Sequence, residues 1–525
     1  MNEFIAKYQD RLHGLLSGFD RLVLHGHLRT ISSARDMEIY LACNRILKKD
    51  FGRHVQAVSE RIKQASLAEA MAQARPVIYV ENSRISKEDL ARSIASRDRV
   101  REGLICVLTA LEVCWSFKVS PDRESRKLRV QACTRKCLHL YHYWMDPELG
   151  FMSARIQSWF PFPIQVCLNG REWLARQMDA AGLKYVRQDN CFVWLQDYAQ
   201  AQALLDAQLQ CHWPERLHPI AQQLNPLHDE IFQRYRTHYY WSVYQSEWAT
   251  DLVFREGDFL KRRYRCWVPQ ALATFGSPDV MRFLGRQVPL SGAIPRRFSA
   301  ALKSDVKGRQ EGVRIKHSLN GNSVKAYDKA FTVVGNVLRV ETTVNQPEDF
   351  RVYRPKEGGP QDKLAWRPMR RGVADLRRRA EVSEKCNQRY LNLLASLDDS
   401  TTLEELTEGL EQPTRWNGKR MRGLRLWEPN DSRLLKAIGR GEFVLNGLRN
   451  RDLQRLLFEG PANSPQQARQ RSAKVSRLLR LLRAHGLLLK VPHTHRYQLT
   501  IHGRKALTAI LAARSATVAQ LTKAA

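Results

Sequence analysis

The chain has 525 residues, with 85 Lys and Arg against 53 Asp and Glu, a formal net charge of +32. That length holds several domains and more than one core, and that charge predicts a polyanionic partner, nucleic acid before a membrane surface. No stretch reaches the roughly 18 apolar residues of a membrane span. Met1-Asn2-Glu3-Phe4-Ile5 opens as a polar helix rather than a signal peptide, so a cytoplasmic location is expected, with the ten cysteines as reduced thiols.

Residues 1–75 read as mostly helical, broken by a strand at Leu22–Leu28, and Pro76–Val80 reads as a buried strand. Ser86 caps a helix with Asp89 at the box position. Gly103–Val119 is strand-like, and Lys127–Tyr143 with Phe151–Cys167 reads as a hairpin turned by Asp146–Gly150. Asn169 opens a helix to about Ala181, residues 200–235 are helical, Tyr239–Phe254 alternates as a strand, and Phe259–Gly285 is helical. Residues 312–344 form a β-meander. Residues 354–381 are rich in arginine, first a loop or linker and then a basic helix from Arg377 to Leu397. The expected fold is multi-domain α+β: an antiparallel-sheet core with flanking helices and a C-terminal winged helix. The expected units are 1–125 (N-terminal α/β region), 126–350 (central core with the meander), 351–430 (basic helical connector) and 431–515 (winged helix).

Asn320-Gly321 is the strongest short hairpin signal a sequence carries. A two-residue loop there sets Leu319 against Asn322, Lys316 against Lys325 and Arg314 against Tyr327. One face then holds Arg314, Lys316, Ser318, Ser323, Lys325, Tyr327 and Lys329; the other, with Val313, Ile315, His317, Val324, Ala326 and Asp328, packs on the core. In the next strand Leu338 and Val340 point in, Arg339 and Glu341 out. Opposed lysines repel, and a phosphate between them would relieve the repulsion.

From Asn430 the apolar spacing gives three helices, then a hairpin through Leu487–Val491 and Arg496–Thr500, then a closing helix from about Gly503. With Val475, Leu478, Leu479 and Leu482 turned inward, the third helix presents Arg469, Lys474, Ser476, Arg477, Arg480 and Arg483, and the hairpin presents His495 and Arg496. Val475-Ser476-Arg477-Leu478-Leu479, Gly486-Leu487-Leu488 and Arg496-Tyr497-Gln498-Leu499-Thr500 resemble winged-helix regulators of the MarR type. The resemblance implies that those polar side chains meet duplex DNA.

Val324-Lys325-Ala326-Tyr327-Asp328-Lys329 followed by Leu338-Arg339-Val340-Glu341 resembles the paired strands of plasmid and filamentous-phage replication initiators. Phe160–Leu174 and Arg314–His317 resemble a large uncharacterised bacterial family, present in repeated copies as mobile elements are. The initiator resemblance implies nicking of DNA by a tyrosine and an acid-bound metal. Tyr327 is then the candidate nucleophile, with Lys325, Lys329 and Glu341 beside it and a lowered phenol pKa from the lysines. Arg314, Lys316 and Arg339 are candidate phosphate contacts. Glu247 and Asp251, four apart on a strand, share a face and with Glu341 make a candidate site for Mg2+ or Mn2+.

His25-Gly26-His27 has glycine where nicking enzymes carry a bulky residue between metal-binding histidines. Cys133, Cys137, His139 and His142 lack the spacing of a zinc finger. Trp115, Tyr141, Tyr143, Trp144, Trp159 and Phe160 lie near Arg135, Lys136 and Arg155, a composition that suits either base stacking or a core. No phosphate-binding glycine loop or dinucleotide fingerprint occurs. The sequence therefore predicts a mobile-element or plasmid protein that binds DNA and acts as a nuclease or strand transferase. The alternatives left open are a non-enzymatic regulator, dimeric or ligand-sensing, and an RNA-binding protein.

Overall fold

The computed structural model describes residues 3–81, 84–122, 127–274, 280–281, 283–286, 298–307, 310–329, 335–356, 360, 363–397, 402–439, 443, 448–491 and 495–518. Its centre is one eleven-stranded sheet. The strands are β1 (Leu12–Leu28), β2 (Val77–Tyr79), β3 (Gly103–Pro121), β4 (Leu128–Asp146), β5 (Gly150–Gln157) and β6 (Ile164–Asn169). A separate hairpin of β7 (Tyr185–Gln188) and β8 (Cys191–Leu195) intervenes. The sheet continues with β9 (Tyr239–Phe254), β10 (Phe298–Lys307), β11 (Gln310–Leu319), β12 (Asn322–Asp328) and β13 (Val337–Val344). The order across it is β10-β11-β12-β13-β9-β1-β6-β5-β4-β3-β2. The pairing is antiparallel apart from β2 on β3, so the sheet is mixed rather than purely antiparallel.

β1 is longer than the sequence suggests, beginning at Leu12 inside a segment read as helical. Gly14 and Gly18 explain the misreading. They weaken the strand pattern, yet a Cβ there would sit 2.3 Å from the Tyr198 ring and 2.5 Å from Leu205. Glycine lets the helix Tyr198–Asp206 lie directly on the strand. β1 therefore sits mid-sheet, between β9 and β6. The expected boundary at residue 125 falls between β3 and β4, which pair along their whole length. Strands on both sides of that boundary thus belong to one sheet.

The meander folds in the expected register, with Leu319 opposite Asn322 and Lys316 opposite Lys325. Asn320 (φ 52°) and Gly321 (φ 84°) supply the two positive angles of the turn. One face of β9, β12 and β13 packs on helices Gly257–Thr274 and Leu376–Leu397, through Leu252, Val324, Ala326, Leu338, Val340, Tyr390 and Leu394. The latter helix, expected as part of a connector, belongs to this core. Its Arg379 is buried and donates to the Val344 and Val243 carbonyls. The arginine-rich segment before it, expected as a loop, holds a hairpin of β14 (Arg351–Pro355) and β15 (Leu364–Pro368).

The opposite sheet face is covered near β1, β9 and β13 by helix Gly170–Ala180, helix Tyr198–Asp206 and the β7–β8 hairpin. Arg339 and Glu341, expected to face solvent, are consequently 0% and 2% exposed.

A separate core joins Leu410, Leu424 and Leu426 to Leu434, Leu435, Leu453, Val475, Leu479, Leu482, Leu499 and Leu507. The C-terminal unit therefore takes in residues from Leu410, ahead of the expected start at 431. Its elements are the hairpin β16 (Thr414–Trp416) and β17 (Lys419–Met421), helices Pro429–Ile438, Asn450–Leu457 and Pro465–Ala484, strands β18 (Leu488–Lys490) and β19 (Tyr497–Leu499), and helix Ile501–Ser515. Residues 492–494 of the expected wing turn lie outside the described residues. No helix among the described residues is long and apolar enough to cross a membrane.

Candidate active site

The site begins with a bulge. β1 pairs Phe19 with Trp248 and Arg21 with Glu247, so Asp20 is an extra residue, turned out of the ladder. Its carboxylate lies under the tip of the β7–β8 hairpin, where Asn190 Nδ2 donates to Oδ1 (3.0 Å) and Oδ2 (3.1 Å). Glu247 on β9 and Glu341 on β13 complete a cluster: the three carboxylates offer oxygens all within 4.8 Å of one another.

Two side chains of β12 hold Glu341 from the other side. Lys325 Nζ donates to Oε1 at 2.6 Å and Tyr327 Oη donates to Oε2 at 2.9 Å. Burial alone would raise the Glu341 carboxyl, but Lys325 first and then Arg339 and the Tyr327 hydroxyl bring it down to about 2. Glu247 goes the other way. Burial, then repulsion from Glu341, raises it to about 7 against the pull of Lys325, 3.8 Å distant. One carboxyl of the cluster thus titrates near neutrality. Lys325 is itself desolvated, yet Glu341 and Glu247 keep it charged by raising its pKa.

The cluster opens on a cavity of about 130 Å³ lined by Asp20, Glu247, Asn190, Arg21, Arg92 and Asn169, among others. Asn169 also caps the helix Gly170–Ala180, accepting from the Arg171 and Glu172 amides. That fixes Arg171, the next feature of the site.

The structure redistributes the candidates. Tyr327, Glu341, Lys325 and Glu247 converge as expected of one site, but Asp251 is elsewhere engaged. Arg339 holds it bidentately (2.6 and 2.8 Å) and Arg171 adds a third contact at 2.9 Å. Asp251 is a buried ion-pair partner and Asp20 takes its place in the carboxylate cluster. Arg339 bridges the two, with Nη1 3.2 Å from Asp20 Oδ1; it faces these carboxylates rather than an open phosphate surface. Lys329 lies 3.6 Å from Asp189 and Arg314 2.9 Å from Asp305, so the basic meander face is largely neutralised from within. Lys316 is half-buried opposite Lys325; burial, then that lysine, lowers its pKa.

The lysines do not lower the Tyr327 phenol. Burial first, and then the Glu341 carboxylate, push it well above its ordinary value. Asp20 escaped sequence reasoning; the one signal was an acid inside an apolar strand run, Gly18-Phe19-Asp20-Arg21-Leu22.

The remaining candidates separate from the site. His25 and His27 lie along β1 beside Tyr244 and Tyr240, and burial brings His25 down to about 4. Cys137 is joined to Cys114 diagonally across β3 and β4, correcting the expectation that all cysteines are thiols. His139 and His142 are buried, and His142 stacks on Trp144. Arg135 lies over Trp159, and Arg155 binds Glu112 and Gln165. In the C-terminal unit Arg469, Lys474, Ser476, Arg477 and Arg480 are exposed. Ser476 bonds Asn450 at 2.8 Å, and Arg483 stacks on Trp416, 4.7 Å from its ring centre. His495 is exposed and Arg496 half-buried on the hairpin. Comparison of the chain with family models, curated proteins and solved structures gives no match.

Proposed function

We propose that this protein cleaves DNA phosphodiesters at the Asp20–Glu247–Glu341 cluster with Mg2+ or Mn2+, and docks on duplex DNA through a C-terminal winged helix. The observation that carries the reading is the convergence of three carboxylates with Lys325 and Tyr327, two of the carboxylates, Asp20 and Glu247, lining a polar cavity. Three carboxylates are a ligand set for a hard divalent cation, which when bound polarises a phosphoryl oxygen and acidifies water. Asp20 and Glu341 supply two carboxylates of the ligand set, Glu341 held below its ordinary value by Lys325. Glu247, the third carboxylate, lines the cavity and would accept the proton of an attacking water. Lys325 sits where it meets charge building on the phosphate. Tyr327, protonated and bonded to Glu341, positions that carboxylate. This favours hydrolysis by water over a tyrosine-linked intermediate.

The C-terminal reading is supported by three helices before a two-stranded hairpin, with Leu448 joined to Tyr497 by an isolated antiparallel bridge. The helix Pro465–Ala484 carries six basic residues and no acidic one. Its exposed Arg477 and Arg480 suit groove and backbone contacts.

The test is incubation of the full chain with Mn2+ and DNA of both single- and double-stranded form, comparing the parent with Glu341→Gln. Metal-dependent cleavage lost in the variant supports the reading. Specific duplex binding without cleavage of any substrate would instead make the protein a regulator.

A further inference from the structure

The outward side of the β14–β15 ribbon carries an aromatic pair. Tyr353 and Trp366 are directly opposed, with ring centroids 5.8 Å apart, and are 54% and 67% exposed. Leu364, 43% exposed, extends the patch. The inner side is anchored: Val352 is buried in the core under β12 and β13, and Arg354 donates to the Pro368 carbonyl at 2.8 and 3.0 Å. The rings are therefore held outward by a fixed backbone, and two large rings left together on a surface mark a contact site.

The surrounding charge identifies the occupant. Residues 351–371 hold seven Lys and Arg against two acidic residues. Arg351, Lys356 and Lys363 are exposed around the rings. Rings flanked by cations match a nucleic-acid strand with unpaired bases, which offers π-faces and phosphates together. The ribbon packs on the helix-covered face of the sheet, opposite the face that bears the carboxylate cluster, and joins the sheet at β9, the strand that carries Glu247. The Val243 amide donates to the Arg371 carbonyl at 2.7 Å, and Val243 precedes Glu247 on β9 by about 13 Å of strand.

We propose that Tyr353 and Trp366 stack on unpaired bases of a bound nucleic-acid strand, with Lys356 and Lys363 on the adjoining phosphates. This rests on the nucleic-acid reading above and adds where an unpaired strand is gripped.

The experiment uses the full chain carrying Glu341→Gln, so that binding is read without cleavage. Anisotropy measures its affinity for an oligo-dT of about 20 nucleotides, enough to span one stacking platform, and for a duplex of equal length. Replacing both rings (Tyr353→Ala with Trp366→Ala) weakens oligo-dT binding by about tenfold or more, the scale of lost base stacks, and leaves the salt slope unchanged. Tyr353→Phe with Trp366→Phe restores most of the affinity. Lys356→Ser with Lys363→Ser flattens the salt slope by about one unit. If the parent binds oligo-dT and the alanine pair binds it equally well, the ribbon proposal is overturned while the nucleic-acid reading stands. Equal losses on oligo-dT and duplex would overturn the assignment to unpaired bases. If the parent binds neither probe, both readings fail.

Discussion

Glu247→Gln should stabilise the protein at alkaline pH, because the native fold holds this carboxylate against its preference. Its carboxyl rises from an ordinary 4.5 to about 7 on folding, chiefly through burial and then through Glu341. A carboxyl whose folded pKa is raised binds more protons in the native state than in the unfolded one. Stability therefore falls as pH climbs from about 4.5 to about 7, and the loss is complete above that window. The gap is worth ~3 kcal/mol at pH 8, from ~1.4 kcal/mol per pKa unit. The side chain is 19% exposed, and solvent screening reduces the figure to about 1–3 kcal/mol. Glutamine keeps the shape and removes the charge. Calorimetry across pH 4 to 9 should show the sheet domain of the variant melting a few degrees higher at pH 8 and unchanged at pH 4. Added Mn2+ should stabilise the parent, by ~2.7 kcal/mol at a hundred times its dissociation constant, and the variant much less. A variant that is less stable at pH 8, or that keeps the parent's pH profile, would refute the reasoning.

Asp251→Asn should behave oppositely, costing about 3–5 kcal/mol because it leaves the buried Arg171 without its anion and Arg339 with Asp20 alone; urea unfolding at pH 7 checks this. Tyr327→Phe should leave cleavage within about tenfold, since a positioning hydroxyl contributes on the order of 1 kcal/mol. No denaturation-resistant protein–DNA adduct should form in parent or variant, and an adduct lost in the variant would restore the tyrosine as nucleophile. In a fragment of residues 402–525, which has its own core, Arg477→Ser with Arg480→Ser should flatten the salt slope of duplex binding by about two units. Arg483→Ser should mainly lower that fragment's melting temperature, because this side chain stacks on Trp416.

Much of the fold was legible where local chemistry decides it. Asn320-Gly321 forces both positive angles of its turn, so the pairing of Lys316 with Lys325 followed from two residues. Tyr239–Phe254 announced itself by alternation and forms β9 at those bounds. The polar face of the meander was harder, because its burial depends on the β7–β8 hairpin, which lies far off in the chain. Without that cover, Arg339 and Glu341 read as solvent-facing. Asp251 and Asp20 were exchanged for a related reason. Spacing along one strand put Asp251 beside Glu247, whereas a bulge in β1 and the arginine opposite Asp251 decided which acid joins Glu341. Register shifts of one residue leave no local mark in sequence.

The proposed function requires Asp20, Glu247 and Glu341 to form one divalent-metal site that cuts DNA. It is tested most directly by titrating Mn2+ into the full chain and into Asp20→Asn, followed by electron paramagnetic resonance, with DNA cleavage measured on the same samples. Mn2+ should bind the parent and support cleavage there, and the variant should lose both. Mn2+ binding and cleavage unchanged by Asp20→Asn, or no Mn2+ binding by the parent, would contradict it.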